Sequence, residues 1–171
     1  MTTGNIQWQQ SYGGSGGDEP TCIQTTADGG YIVGGITAST NGNVTGNNGL
    51  YDYWVVKLNS SGNLQWQTAL GGSSMEIAYG IQPTPDGGYI IAGNSGSTNG
   101  QVTGNHGGYD GWVAKLNADG ILQWQKSIGS TAADGMASLL NANDNGYIVV
   151  VTTVPPMVML PPTKEAPIVG L

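Results

Sequence analysis

The sequence repeats itself with a period of 58 residues, counted from Trp66 to Trp124. The segment Leu64-Gln65-Trp66-Gln67 returns as Leu122-Gln123-Trp124-Gln125, and an earlier copy of the same tryptophan stands at Trp8. Self-similarity at a fixed period of this size is typical of repeat proteins, in which each unit buries its apolar face against its neighbours. The chain is therefore expected to be a tandem array.

The period also predicts where the units begin and end. The predicted parts are 1–10 as the final strand of a preceding unit, 11–68 and 69–126 as two full repeats, 127–150 as part of a third repeat, and 151–171 as an aberrant tail.

Composition favours strands over helices. The chain has 30 glycines and no phenylalanine, and only 9% of its residues are charged. These are features of tight turns and closely spaced strands, so we predict an all-β fold. In the second repeat, strand-like runs lie at 78–84, 88–93, 111–116 and 121–127. This spacing predicts a four-stranded antiparallel sheet in each repeat.

Short turns are predicted between the first two strands of each repeat. A tight hairpin needs residues that tolerate positive φ, which Asp, Asn and Gly do. The predicted turns are Asp28-Gly29, Asp86-Gly87 and Asp144-Asn145.

The third strand of the repeat is apolar on both faces. Trp54, Val56 and Leu58 share one face, and the same pattern returns from Trp112. A strand of this kind fits between two stacked sheets, as in the blades of a β-propeller. We therefore interpret the tryptophans as core between sheets, before any role as a binding surface.

Charge excludes two classes of partner. Four basic residues against 11 acidic ones give a net charge of −7, which is unsuited to phosphate backbones and to anionic membranes. The N-terminus has neither the charged nor the apolar region of a signal peptide, and no apolar run approaches the ~20 residues of a membrane span. As written, the chain is expected to be soluble, without an export signal and without a nucleic-acid or membrane partner.

The acidic residues recur with the repeat. Asp18, Glu76 and Asp134 are one period apart, and so are Asp52 and Asp110. A catalytic site is normally built once, whereas a turn or an ion pair is needed in every unit. The sequence contains no Ser-His-Asp set and no metal-spaced histidine cluster, because His106 is the only histidine. We predict a protein that is not an enzyme and has no catalytic, cofactor or metal residues.

The longest polar segments are the loops at 37–52 and 95–110, where we expect any ligand contacts. Two ligand classes stay open. Ca²⁺ would use amide and carbonyl oxygens of 41–43 and 99–101, weakly because carboxylates are missing. A sugar would need exposed aromatic rings. The candidate contact residues are Asn41, Asn43, Asn47, Tyr51, Asn99, Gln101, Asn105, His106 and Tyr109.

Three motifs resemble a known repeat family. They are Gly13-Gly14-Ser15-Gly16-Gly17-Asp18, Asp28-Gly29-Gly30 and Asp52-Tyr53-Trp54-Val55-Val56-Lys57-Leu58, and the first and third return at 71–76 and 110–116. The motifs are similar to those of the bacterial β-propeller repeats called SBBP, over roughly residues 4 to 150. The resemblance implies propeller blades and a secreted or surface-attached bacterial parent protein, of which this chain is a truncated fragment. It supplies no catalytic residues.

The number of repeats predicts self-association. Propellers use about four to eight blades, and two and a half repeats cannot close such a ring. We expect an incomplete ring that closes by homo-oligomerisation, most simply a dimer of six blades whose N-terminal strand completes the partner's broken blade. The expected function is that of a non-enzymatic interaction or self-assembly module. The alternatives are a carbohydrate-binding module and, third, part of a glycan-active enzyme, which would need an unrepeated carboxylate pair.

The repeat pattern stops after Val150. If each codon is read from its last base, the junction of Met157 and Val158 must encode glycine, one period after Gly100. Neighbouring junctions permit further residues of the repeat. We therefore predict that a frameshift near Val150 truncated a longer propeller gene. Coding DNA in which a one-base shift does not restore the repeat would contradict this.

Overall fold

A computed structural model describes residues 4–153 and 168–169. In these residues the fold is all-β, and none of them forms a helix that could cross a bilayer. The strands are β1 (Asp18–Thr25), β2 (Tyr31–Thr37), β3 (Asp52–Leu58), β4 (Leu64–Leu70), β5 (Glu76–Pro83), β6 (Tyr89–Ser95), β7 (Asp110–Leu116), β8 (Leu122–Ile128), β9 (Gly135–Asn141), β10 (Tyr147–Thr152) and β11 (Ile168–Val169).

The first sheet contains β1–β4 and the second contains β5–β8, each antiparallel and in chain order. The register repeats with the sequence, since Gly35 pairs with Trp54 in the first sheet and Gly93 with Trp112 in the second. The predicted four-stranded antiparallel sheets are confirmed, and the strands of the second repeat begin and end within about two residues of their predicted limits.

The predicted turns are also confirmed. Gly29 and Gly87 have φ of 78° and 81°, and Asn145 has φ of 66°. Asn145 is the described non-glycine residue with positive φ, a backbone conformation that Asn tolerates better than most residues. Asp28 holds its turn, because its Oδ1 accepts a hydrogen bond of 3.0 Å from Gly30 N.

Each of the first two sheets contains an ion pair between a buried lysine and an exposed aspartate. Lys57 Nζ lies 2.8 Å from Asp28 Oδ2 and also donates to the carbonyl of Leu58 and to Gln65. Lys115 makes the same contact with Asp86 at 2.8 Å. The repetition confirms that these charged residues tie strands together.

The third sheet differs from the other two. Strand β9 pairs antiparallel with β10, and β11 pairs with β10 in parallel. Strand β10 runs two residues past Val150, to Thr152. Apart from 151–153 and 168–169, the tail predicted from a frameshift lies outside the described residues.

The sheets stack face to face in the order first, second, third. Strands β1 and β2 contact β5, and β5 and β6 contact β9. We call the face that carries Trp54 or Trp112 the front face of its sheet. The front face of the second sheet packs on the back face of the first, where Trp112 is fully buried and its ring lies 4.8 Å from that of Tyr53. The prediction that Trp112 belongs to the core is confirmed.

A second aromatic contact repeats at every step. Trp66 of the first sheet lies against Tyr89 of the second, with ring centroids 5.6 Å apart, and Trp124 lies 6.0 Å from Tyr147. Trp8 lies 5.8 Å from Tyr31 in the same way. Residues 5–9 are not assigned to a strand, yet their tryptophan lies on the first sheet as the last strand of a preceding sheet would.

Candidate functional site

The candidate contact residues all lie at one end of the sheets. In an antiparallel sheet, the start of β1, the end of β2, the start of β3 and the end of β4 lie at the same end of the strands. The loops at 37–52 and 95–110 connect strands at this end. We call it the loop end.

Four candidate side chains brace the turn that leads into each sheet. Asn41 Oδ1 accepts a hydrogen bond of 2.8 Å from Ser15 N, and Asn99 Oδ1 accepts one of the same length from Ser73 N. Asn43 and Gln101 accept similar bonds from Gly13 N and Gly71 N. The side-chain oxygens that were expected to bind Ca²⁺ therefore already accept hydrogen bonds from backbone N–H groups.

Asn47 and Asn105 hold the loops in shape. The side-chain amide of Asn105 donates to the carbonyl of Ser95 at 3.2 Å and accepts from Gly107 N at 2.8 Å. Asn47 makes the corresponding bonds with Thr37 and Gly49. Each side chain therefore stabilises its own loop by hydrogen bonds to the backbone.

Tyr51 and Tyr109 connect neighbouring sheets through their backbones. The Tyr51 carbonyl accepts from Glu76 N, and the Tyr109 carbonyl accepts from Asp134 N, both at 2.6 Å. The two rings are half-buried and lie over glycines of the loop end. They expose only part of the surface that a sugar would stack on.

The two loops meet in a shallow depression at the loop end. This depression is polar and joins Asn48 of the first loop to 99–101 of the second. His106 lies in a separate groove with Thr103, Lys126 and Ser130. Its Nδ1 is 2.7 Å from Oδ2 of the buried Asp110. His106 is thus a partner of a carboxylate, a role that sequence reasoning missed.

Carboxylates meet in pairs at each junction between sheets. Asp52 at the start of β3 and Glu76 at the start of β5 are both fully buried. A β-carbon on Gly71 would collide with Oδ1 of Asp52 and Oε2 of Glu76, so the two oxygens lie close together on the same side of that glycine. Asp110 and Asp134 are arranged in the same way around Gly129.

Each pair lacks one hydrogen bond. Oδ2 of Asp52 accepts from Asn48 N and Oδ2 of Asp110 accepts from His106 N, but Oδ1 of both aspartates is buried with no partner. Glu76 Oε1 accepts from Ser95 and Oε2 from Gly72 N. Burial, opposed by the bond from Asn48 and reinforced by the charge of Glu76, raises the pKa of Asp52 to about 6. The sequence signal for the pair was an acidic residue 24 positions after Asp52, repeated after Asp110.

The first sheet shows what the site is like without the second carboxylate. Asp18 is the counterpart of Glu76, and the atoms closest to a β-carbon on Gly13 all belong to Asp18. Partial burial raises the pKa of Asp18, but hydrogen bonds from Thr37, Gly14 and Ser39 outweigh burial and lower it overall. Unlike Asp52, Asp18 receives hydrogen bonds at both carboxylate oxygens, from Thr37 at Oδ1 and from Gly14 and Ser39 at Oδ2.

The front face of the first sheet is an apolar surface that stays partly open. Ile23, Val33 and Val56 lie side by side on it, because each pairs directly with the next across the strands. Ile23 is 57% exposed, whereas Ile81 in the same place on the second sheet is 1% exposed. We call Ile23, Val33, Trp54, Val56 and Leu58 the open face after Ile23, its exposed member; Trp54, Val56 and Leu58 are themselves buried. A groove runs along this face and is also lined by Trp8 and Tyr12.

Among residues 4–153 and 168–169, no three His, Cys, Asp or Glu side chains are grouped so as to hold a metal ion. No model of a known protein family and no curated protein sequence matches this chain.

Proposed function

We propose that this chain is a non-enzymatic β-propeller fragment that associates with a second copy of itself, as an interaction and self-assembly module. The observation that carries the proposal is the contrast between Ile23 and Ile81. They occupy the same place on two successive sheets, and only the second is covered by a preceding sheet. What covers Ile81 in this chain is the back face of a repeat.

The surface needed to cover Ile23 is present at the other end of the stack of sheets, on the third sheet. Ile32 and Ile90 on the back faces of the first two sheets are fully buried by the sheet that follows. Their counterpart in the third sheet, Ile148, is half-buried. If the back face of the third sheet packed on the open face of another copy, the contact would be the same as the one made twice within the chain.

Contact between unlike faces makes a ring when the rotation closes and a fibre when it does not. Two copies with three sheets each would give six blades, within the range of known propellers. Residues 5–9 then join the partner's third sheet as its outer strand. The position of Trp8 over Tyr31 supports this assignment, since Trp66 takes the same position over Tyr89.

Analytical ultracentrifugation tests the proposal. We expect a dimer that dissociates on dilution, and Ile23→Glu should yield a monomer because a carboxylate would be buried in the contact. Ile121→Glu is the matched control, because Ile121 is 62% exposed and lies outside the open face. A wild-type monomer at about 200 µM, far above the micromolar affinities of weak complexes, would refute self-association. A dimer that tolerates Ile23→Glu would refute the open face as the contact.

A further inference from the structure

We propose that the carboxylate pair between the first and second sheets is a proton-binding site, in which Asp52 Oδ1 carries a proton and donates it to Glu76. The proposal goes beyond self-association, because the site lies within one chain. Its physical basis is the buried oxygen of Asp52 that has no partner, next to a second buried carboxylate.

A buried polar atom without a partner costs about 1–3 kcal/mol, and two ionised carboxylates in contact repel each other. One proton removes both penalties, because it turns Oδ1 into a donor aimed at Glu76 Oε2. No bond between heavy atoms changes: the proton comes from solvent and returns to it. The raised pKa of Asp52 agrees with this arrangement.

A proton suits the site better than a metal ion. Oδ1 of Asp52 is closed off from solvent, and the two carboxylate oxygens lie so close together beside Gly71 that a single β-carbon there would collide with both. Glu76 Oε2 already accepts a hydrogen bond from Gly72 N. Ca²⁺ needs six to eight oxygens, whereas a proton needs one acceptor.

The groups facing Asp52 come from three elements. Glu76 faces it from the start of β5, and the phenol of Tyr53 on β3 is close enough to Glu76 to interact with its charge. The loop contributes the neutral Asn48. The basic side chains in the described ion pairs are Lys57, His106 and Lys115, and none of them pairs with Asp52 or Glu76.

The second junction has a different loop residue. His106 stands in the place of Asn48, and both its backbone N–H and its Nδ1 contact Asp110 Oδ2. An imidazole can carry positive charge, which an asparagine cannot. Oδ1 of Asp110 is, like Oδ1 of Asp52, buried with no partner. The two junctions are therefore similar, and they differ in the residue four positions before the aspartate and in Glu76 in place of Asp134.

Carboxyl ¹³C NMR of the full chain tests the proposal. We expect Asp52 Cγ to titrate near pH 6 instead of near the ordinary 3.8. Glu76→Gln should lower the midpoint by at least one unit, because the amide donates to Oδ1 without charge. Asn48→His should also lower it, by placing an imidazolium beside Oδ2, while His106→Asn at the second junction should leave it unchanged.

Three results would overturn the proposal. The first is a midpoint for Asp52 below about 4.5, a pKa at which desolvation no longer dominates. The second is an Asp52 midpoint that Glu76→Gln does not change, since proton binding at Asp52 would then not depend on Glu76. The third is a shift of the Asp52 signal on adding CaCl₂ at pH 7.5, together with a higher melting temperature, since the site would then bind a cation. Asp52 and Glu76 are both fully buried within one chain, so the midpoint can be read on monomer or dimer and its outcome is distinguishable from that of the test of self-association.

Discussion

Replacing Ile81 with alanine tests whether each sheet is held by the back face of the preceding one. Ile81 is 1% exposed and belongs to the cluster between the first and second sheets. Removing a buried isoleucine side chain to alanine costs about 2–5 kcal/mol, since the lost transfer free energy is joined by a cavity that closes only in part. We expect a loss of that size in the free energy of unfolding.

Ile23→Ala is the matched comparison. Full burial of such a side chain is worth about 1.5–3 kcal/mol, and Ile23 is 57% exposed. In a monomer, Ile23→Ala can therefore remove less than half of this burial free energy, about 1 kcal/mol. In the proposed dimer the same substitution would cost more, because the partner's back face would cover Ile23.

The measurement is urea unfolding followed by tryptophan fluorescence, at sub-micromolar and at high protein concentration. Repeat proteins do not always unfold in a single step, so hydrogen exchange of the amides in β5 and β6 should accompany it. Equal losses for Ile81→Ala and Ile23→Ala in dilute protein would refute the stacking of the front face of the second sheet. A loss for Ile23→Ala that does not grow with concentration would contradict association through this face.

Three further predictions follow from single contacts. Gly71→Ala should lower stability by about 1–3 kcal/mol because its β-carbon collides with two buried carboxylates, while Gly80→Ala, whose closest neighbour is at 3.4 Å, should melt near wild type. Asn105→Ala should cost about 1 kcal/mol in a thermal melt by removing a half-buried brace; an unchanged melting temperature would show that the brace is dispensable. The hydrogen bond from Lys115 lowers the pKa of Asp86 to about 2, so its contribution to stability is present above pH 3.8 and is lost as pH falls towards 2. Asp86→Asn should remove that part of the acid dependence in urea unfolding between pH 2 and 5, and an unchanged slope would exclude the ion pair as its source.

Local patterns in the sequence predicted most of the strands and turns. The side-chain alternation from Trp54 and the Asp28-Gly29 turn depend on residues next to each other in the chain, and the structure reproduces both. Repetition strengthened these predictions, because every pattern could be checked one period later.

The candidate site was harder to predict because its contacts join distant parts of the chain. Asn99 looked like a free loop residue, but its oxygen binds the turn that begins the same repeat. Asp52 and Glu76 come from neighbouring repeats and meet only because the sheets stack. The sequence showed that both recur, but it could not show that their carboxylates lie close together, since that depends on how one sheet packs on the next.

Differences between repeats mark where function can reside, because what every repeat shares is needed to build it. The turn at Asp28, the ion pair of Lys57 and the aromatic contact of Tyr31 have counterparts in the second repeat and are structural. Ile23 differs from its counterpart Ile81 because no sheet in the described part of the chain covers it, and this exposure is the basis of the proposed self-association. Asn48 differs from His106 in its ability to carry charge beside a buried carboxylate. Because this neighbour distinguishes two otherwise similar junctions, Asn48→His is the substitution that most directly tests the proposed proton site at Asp52.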